Sequence, residues 1–433
     1  MLNKHATSKV GKNRKSKAGL TAVLDLGTNK VACLIAKSNN TVGADGDNGP
    51  RIVGFGHQMS HGLRSGTIID IEQAEMIIRS TVEAAEKEAG ANIGKVIVNL
   101  GAPDLDSKLI AYEVDISGKT VSELDMRRAF QSNIINKDGL PDRELVHTIP
   151  VGYSIDGAFG IRDPRGMYGE RMGINMHTIS AKTGPIKNLE TVISNCHLGI
   201  DKIVVSPFAS ALACLVEDEK QVGVTCLDMG AGTTSAAIFF DGELVYTDTI
   251  PIGGQNITSD IARGIATSMV HAERMKNCFG NAIPSINDDH ELIRVPIIGD
   301  QDDPDDTQIA RSMLIGIIRP RLEETIEMVR GRIEKAGFGK VAGRHAVICG
   351  GASQLPGLPE LVGKMLNKQV RAGRPRYISG LPEFAKGPEF STCVGLLYYT
   401  FENRNELSDE VSRMTSNPEG KFGRFGQWFR ENF

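Results

Sequence analysis

The stretch Val224-Thr225-Cys226-Leu227-Asp228-Met229-Gly230-Ala231-Gly232-Thr233-Thr234-Ser235 decides how the rest of the chain is read. An apolar run ends in an acid, glycines and threonines follow, and a second apolar run passes through Ile238-Phe239-Phe240. This is the grammar of a buried strand, a tight turn and a returning strand, closed by the hairpin signal Asp241-Gly242. Gly230 and Gly232, on either side of Ala231, leave the turn nearly bare, so successive backbone N–H groups can converge on an anion. Thr233 and Thr234 add hydroxyl donors. Asp228, at the strand end, is placed to hold a hydrated Mg2+ beside that anion, because Mg2+ takes one or two carboxylates together with water and phosphate.

The same grammar occurs about 200 residues earlier, in Ala22-Val23-Leu24-Asp25-Leu26-Gly27-Thr28-Asn29-Lys30-Val31-Ala32. That separation is too large for a solenoid repeat and suits two similar domains facing one cleft. A third element, Ala346-Val347-Ile348-Cys349-Gly350-Gly351-Ala352-Ser353, runs an apolar strand into paired glycines, where backbone can lie against a flat ring. Two phosphate hairpins and a late Gly-Gly turn, in that order, resemble the actin, Hsp70 and sugar-kinase nucleotide-binding superfamily. The resemblance implies an α/β fold of two RNase H-like domains with ATP between them.

At 433 residues and 40% hydrophobic, the chain can bury the cores of two or more domains. A net charge of −4 gives no global nucleic-acid signature. The seven cysteines are scattered through apolar runs with no C-x-x-C, a pattern of buried thiols in a reducing compartment. No apolar run reaches the length of a membrane span. Residues 1–19 are rich in Lys and Arg with no acid and no apolar stretch behind them, so they read as a disordered basic tail and not as a secretory signal.

Asp70 is placed to cap a helix with the apolar face Ala74, Ile77, Ile78, Thr81, Ala84 and Ala85. Residues 102–177 differ in texture: a strand, a helix opened by Ser122-Glu123-Leu124-Asp125, a second strand, and the charged loop Gly160 to Gly169, read as an exposed docking loop. They form a small αβ module inserted in the first domain, and strand resumes at Met176. Ser206-Pro207 opens a helix of small residues suited to close packing between domains. Further on, Glu273 and Lys276 share one helical face, either as a surface ion pair or as a ribose contact. Asp288 to Asp306 reads as a solvated acidic loop around a strand from Leu292 to Ile298; its spacing is not that of an EF-hand. A long helix then starts with Thr307 as cap, kinks at Pro320 and stops at Gly337-Phe338-Gly339.

Residues 402–420 are polar and aperiodic, as in a flexible linker. In residues 421–433, Phe422, Phe425, Phe429 and Phe433 fall on one helical face with Trp428 at its edge, and Arg424, Gln427, Arg430 and Glu431 cover the other. Aromatic on one side and basic on the other, this is the pattern of an interfacial amphipathic helix on anionic lipid.

With these pieces in place the chain resembles the FtsA family of bacterial actin-like division proteins from Leu20 to Phe433. The run Ile161-Arg162-Asp163-Pro164 to Tyr168-Gly169-Glu170-Arg171 and the aromatic-basic tail separate it from Hsp70, MreB and sugar kinases. The family implies subdomain 1A at 20–101 (with 178–210 and 390–401), 1C at 102–177, 2A at 211–260 (with 339–389) and 2B at 261–338. It further implies ATP and Mg2+ on Gly27, Thr28, Asn29, Lys30, Gly230, Ala231, Gly232, Thr233, Thr234, Glu273, Lys276, Gly350, Gly351, Ala352 and Ser353, with the metal at Asp25 and Asp228. Expected partners are the FtsZ C-terminal peptide on 2B, later division proteins such as FtsN on 1C, further copies of the chain in filaments, and anionic lipid, but no nucleic acid. The expected place is the cytoplasmic face of the inner membrane at the division site. Relatives that hydrolyse ATP efficiently carry Glu or Gln where this chain has Ser206, so at most slow turnover is expected. The competing reading is an ATP-driven chaperone or a sugar kinase. A chaperone needs a large C-terminal substrate domain, and a kinase needs a carboxylate base for its acceptor; neither is evident.

Overall fold

In a computed structural model, residues 19–37, 50–134, 142–296, 307–339 and 342–401 are described. Most of the basic tail, the acidic stretch 300–306, the linker and the amphipathic segment lie outside the described residues. The chain begins with β1 (Leu20–Leu26), β2 (Lys30–Lys37), β3 (Arg51–Met59), a short ribbon of β4 (Leu63–Arg64) and β5 (Thr67–Ile68), α1 (Ile71–Ala89) and β6 (Lys95–Leu100). There follow β7 (Asp106–Asp115), α2 (Glu123–Ile134), β8 (Arg143–Ile155), β9 (Ala158–Ile161) and β10 (Arg171–Lys182). Then come α3 (Thr183–Asn195), β11 (Gly199–Val205), α4 (Ser206–Cys214) and α5 (Glu217–Val222). The second half has β12 (Val224–Met229), β13 (Thr234–Phe240), β14 (Glu243–Ile250), α6 (Gly254–Ile265), α7 (Met269–Phe279), β15 (Leu292–Val295) and β16 (Thr307–Ala310). It closes with α8 (Arg311–Lys335), β17 (His345–Cys349), α9 (Leu358–Leu366), β18 (Gln369–Ala372) and α10 (Ser391–Phe401).

Two five-stranded sheets share one topology. The first has the order β3-β2-β1-β6-β11 and the second β14-β13-β12-β17-β18. In each, the first three strands are antiparallel neighbours and the last three are parallel. The central strands are buried along most of their length, which is why they read as apolar runs without alternation. β7 instead alternates, and it belongs to a separate four-stranded antiparallel sheet, β7-β10-β8-β9, covered by α2. That module enters after β6 in the first half, whereas the α6–α8 region enters after β14 in the second.

The caps and glycines that the sequence marks have physical work. The Asp70 side chain accepts the Gln73 N–H at 3.0 Å, and α1 ends at left-handed Gly90. The Asp241-Gly242 turn has positive φ at both residues, as the tight turn between β13 and β14 requires. Ser122 and Asp125 cap α2 reciprocally: the Ser122 N–H donates to Asp125 at 2.9 Å, and the Asp125 N–H to Ser122 Oγ at 3.3 Å.

Three expectations are corrected. Thr307 does not cap the long helix; it pairs with Val295 in a β15–β16 ribbon, and α8 starts after Ala310. The strand expected from Leu292 to Ile298 ends at Val295. The strand expected from Met176 starts at Arg171, because β10 pairs with β7 and β8 over nearly its whole length. The helix α8 continues through Pro320.

The helices α4 and α10 lie together where the two halves meet, and α4 is buried on all sides. A Cβ on Gly395 would stand 1.7 Å from the Ala209 carbonyl oxygen, so only glycine lets these helices approach this closely. Gly395→Ala should destabilise the protein by about 1–3 kcal/mol, the usual cost of overpacking, and lower its thermal midpoint. Gly184→Ala, with open space around the added methyl, is the control and should not lower it.

Candidate functional site

Both hairpins close the same way. The Gly27 N–H donates to the Lys30 carbonyl at 3.0 Å, and the Gly230 N–H to the Thr233 carbonyl at 2.9 Å. The two turns therefore match position by position, with Asp25 opposite Asp228, Lys30 opposite Thr233, and Val31 opposite Thr234. They also meet in space: a Cβ on Gly232 would lie 2.5 Å from Thr28 Oγ1. Thr28 Oγ1 in turn accepts the Gly66 N–H at 3.3 Å. Asn29 is exposed at the tip of the first turn.

The second turn is braced by the start of α6. Gly254 and Gln255 donate their N–H groups to the Gly230 and Ala231 carbonyls at 2.9 and 2.7 Å. The Gly350 turn packs against the same place, and with φ 83° it has the left-handed backbone that glycine allows. A Cβ there would fall 2.3 Å from Asp228 Oδ1. Gly351 follows, Ser353 Oγ donates to the Gly350 carbonyl at 2.7 Å, and Ala352 comes against Gly254. Lys276 joins them: its Nζ lies 3.2 Å from the Gly254 carbonyl, 2.9 Å from Thr258 Oγ1 and 2.7 Å from Glu273 Oε2. Burial alone would raise the Glu273 carboxyl, but hydrogen bonds from Lys276 and Thr258 outweigh it and hold the group below its ordinary value. Within the pair the lysine is nearly enclosed, while the glutamate side chain stays 45% exposed.

Asp25 and Asp228 face each other across this space closely enough that the charge on Asp228 raises Asp25. Burial pushes Asp25 up to about 6, against the pull of Lys30. Burial also raises Asp228, opposed by hydrogen bonds from Ser210 and Thr392 and by Lys30. Thr392 Oγ1 donates to Asp228 Oδ2 at 3.2 Å, and Ser210 Oγ donates to the same oxygen. Asn99 does the matching work on the other side. It donates to Asp25 Oδ1 at 2.9 Å and to Ser206 Oγ at 3.1 Å, and accepts the Leu26 N–H at 2.7 Å. Lys30 Nζ donates to the Glu389 carbonyl and lies 4.4 Å from the centre of the Phe390 ring.

Of the residues expected here, Thr234 needs correction as a hydroxyl donor. Strand side chains alternate faces, and Thr234, matched to the buried Val31, is 2% exposed and lies on the side of Val329 and Ile333 of α8. Ser235, paired directly with Asp228, takes the side of the carboxylate. Asn99, Ser210, Thr258, Glu389 and Thr392, which the motifs did not reveal, hydrogen-bond to the expected residues Asp25, Asp228, Glu273 and Lys30. Each sits in an ordinary strand, helix or loop, and only a polar residue within an apolar run, as at Asn99, marks it.

The shift at Asp25 has a stability consequence. Its folded pKa lies above the ordinary 3.8, so the fold favours the protonated acid, and stability falls as pH rises from about 4 through about 6. Removing that charge should recover up to about 3 kcal/mol at neutral pH. Without added ligands or divalent ions, Asp25→Asn should raise the thermal midpoint at pH 7.5 and change it little at pH 4. An equal change at both values would contradict this origin.

No helix among the described residues is long and apolar enough to cross a membrane. The family model of "Cell division protein FtsA" matches residues 225–395, and that of the "SHS2 domain inserted in FTSA" matches residues 104–180, the four-stranded module. The cell division protein FtsA of Agrobacterium fabrum (strain C58) is 39% identical over 421 residues, which are 96% of this chain and 95% of that protein. The Escherichia coli (strain K12) protein of the same name is 30% identical over 424 residues, 96% of this chain and 98% of that protein. Among solved structures, a chain of a PilM-PilN type IV pilus biogenesis complex aligns with TM-score 0.60 at 16% identity, over 88% of this chain and 98% of its own length. MreB 5 of Spiroplasma citri bound to AMPPNP aligns with TM-score 0.51 at 14% identity, over 92% of this chain and 99% of its own. At such identities the likeness is one of fold, and that fold is actin-like. With relatives matched over nearly its whole length, the chain belongs to the FtsA family of cell division proteins.

Proposed function

We propose that the cleft binds ATP with Mg2+ and that the chain acts as a self-assembling adaptor tethering FtsZ filaments to the membrane. The observation that carries the nucleotide reading is the convergence of two bare turns, the Gly350 turn and the Lys276–Glu273 pair around two buried carboxylates. Two acids removed from water are costly unless a cation joins them, and two carboxylates beside a phosphate suit hydrated Mg2+. The N–H groups of residues 27–29 and 230–233 take the phosphates, with Lys30 as a positive charge beside them. Glu273 and Lys276 face the ribose, and residues 350–353 line the adenine side. The metal neutralises phosphate charge when bound; Asp25 and Asp228 hold its water shell. That the MreB structure is of a protein bound to AMPPNP supports nucleotide in a cleft of this fold.

Turnover is slow at most. Ser206 has a short side chain, and its hydroxyl already accepts a hydrogen bond from Asn99, so it is poorly suited to orient an attacking water. The role is then assembly and not chemistry: residues 421–433 hold anionic lipid on the cytoplasmic face of the inner membrane at the division site. Residues 261–338 receive the FtsZ tail peptide, and residues 102–177 meet later division proteins such as FtsN and neighbouring copies in a filament. Apolar side chains left exposed in the first region, Ile286 at 93% and Val270 at 77%, support a peptide surface there.

In calorimetric titration, Asp228→Ala should weaken Mg2+-dependent ATP binding at least tenfold while changing Mg2+-free binding little. Equal affinity for wild type and variant under both conditions would overturn the metal assignment. A peptide from the FtsZ C-terminus should bind the full chain and a variant lacking residues 421–433 equally well, and Ile286→Asp should weaken it. Peptide binding that disappears with the tail would refute this placement.

A further inference from the structure

The end of the molecule opposite the cleft has a charge pattern that the nucleotide site does not use. Asp25 closes β1 at the cleft, so β1 begins at the far end with Leu20 beside Lys37, the last residue of β2. Lys37 pairs in turn with Arg51 at the start of β3. Both side chains are exposed. Lys95 opens β6 at the same end, because β6 runs parallel to β1, and it is exposed; Lys202, level with Ile97, is the middle residue of β11. The helix α10 travels the same way. It starts at the cleft, where Thr392 donates to Asp228, and ends where the Tyr398 hydroxyl donates to the Tyr377 carbonyl at 3.0 Å. Arg376 stacks on Tyr398 with its guanidinium carbon 4.0 Å from the ring centre, and Lys202 Nζ is 5.4 Å from the centre of Tyr399. The backbone ties Tyr377 to the basic pair: the Ile52 N–H donates to the Ser379 carbonyl at 2.8 Å. Tyr377 itself is 71% exposed. Of the described acids nearby, Asp201 lies 3.6 Å from Lys95 and Glu88 accepts the Phe55 N–H at 2.8 Å; residues 38–49, which join Lys37 to Arg51 and include Asp45 and Asp47, lie outside the described residues.

An independent observation points the same way. Residues 1–18 join the fold at Gly19, next to Leu20, and residues 402–433 join it at Phe401, one turn beyond Tyr398. Both therefore attach at this end. Residues 1–18 contain Lys4, Lys9, Lys12, Arg14, Lys15 and Lys17 and no acid, and residues 421–433 hold the aromatic-basic pattern.

We infer that this end of the folded domain is itself a lipid-facing surface, with Lys37, Arg51 and Lys95 against anionic headgroups and Tyr377 at the headgroup level. The inference rests on the reading of residues 421–433 as the segment that brings the chain to a bilayer, and adds an orientation: the cleft points away from the membrane. A basic surface within a Debye length of an anionic bilayer, about 10 Å at 0.1 M salt, is attracted to it, and each Lys or Arg strengthens binding roughly fivefold. Tyrosine, apolar in body and polar at its tip, is suited to that interface. The exposed aromatic ring and the amphipathic segment at the same end favour a bilayer over a nucleic acid.

The test uses the full-length chain with Trp428→Phe and Tyr377→Trp, so that residue 377 carries the sole indole, and vesicles of phosphatidylglycerol and phosphatidylcholine brominated near the headgroups. Quenching of that indole on anionic vesicles is expected. In the otherwise unaltered chain, Lys37→Glu with Arg51→Glu should weaken vesicle binding at least tenfold at low salt with an unchanged thermal midpoint. Arg263→Glu with Lys335→Glu, the same charge change elsewhere, should weaken it much less. Equal loss in both pairs, or bound protein without quenching, would overturn the inference. So would an indole already shielded before vesicles are added, since the chain's own tail would then cover the surface. Trp428→Glu separates the two readings. If it abolishes binding while the Lys37/Arg51 pair has no effect, the tail anchor stands and this surface is rejected. If it binds fully while the pair abolishes binding, this surface stands and the tail anchor falls.

Discussion

Two carboxylates withdrawn from water at the ends of two central strands set the terms for the rest of this structure. Asp25 and Asp228 each lie at the end of the first strand of a hairpin, and burial there raises the cost of ionising each. The fold answers with polar groups drawn from elsewhere: Asn99 from the neighbouring parallel strand, Ser210 from α4, Thr392 from the first turn of α10, and the Lys30 charge. Asp228 belongs to the second sheet, yet its partners Ser210 and Thr392 come from helices that lie between the sheets. The site is therefore not carried by either half alone, and the residues that steady it also fix how the halves meet.

The two sheets reach this arrangement by the same route. Identical strand order and sense place both hairpins at corresponding edges of the cleft, with the same hydrogen bond closing each turn. What differs is the point of insertion. The module matching the inserted SHS2 family enters after β6, while the α6–α8 region enters after β14. The second insertion brings Lys276, Glu273 and Thr258 beside the Gly254 backbone, and among the described residues the first supplies no equivalent. A symmetric frame thus acquires an asymmetric site: matching bare turns on both sides, and the polar pair on one.

The helices between the halves explain how a shared site is held. α4 presents Ser206 toward Asn99 and, one turn later, Ser210 toward Asp228. α10 lies against α4 so closely that Gly395 has no room for a side chain. Arg371 and Arg376 from the second half donate to carbonyls near the end of α4, at Cys214 and Leu212. Small residues make this contact close, and the arginines satisfy carbonyls that a helix end would otherwise leave unpaired.

The amino-acid sequence alone determined the parts whose physics is local. A strand buried on both faces is apolar throughout, a bare turn needs glycine, and a helix start needs an acceptor such as Asp70, so the hairpins, the Gly350 turn and α1 were legible in order. Family-level resemblance followed from those motifs and from the Arg162-Asp163-Pro164 run. Tertiary structure decided what depends on the partner. Thr307 has the chemistry of a cap yet lies in a strand, because β15 offers it a ladder of hydrogen bonds. Thr233 and Thr234 are alike in sequence, but the face turned to the cleft is settled by strand register, which leaves Thr234 against α8. Asn99, Ser210 and Thr392 lie far apart in the chain and carry no motif; they become one site only when two sheets and two helices converge. A local pattern records what a residue can do in its own turn of backbone, and burial beside a distant carboxylate is a property that only packing confers.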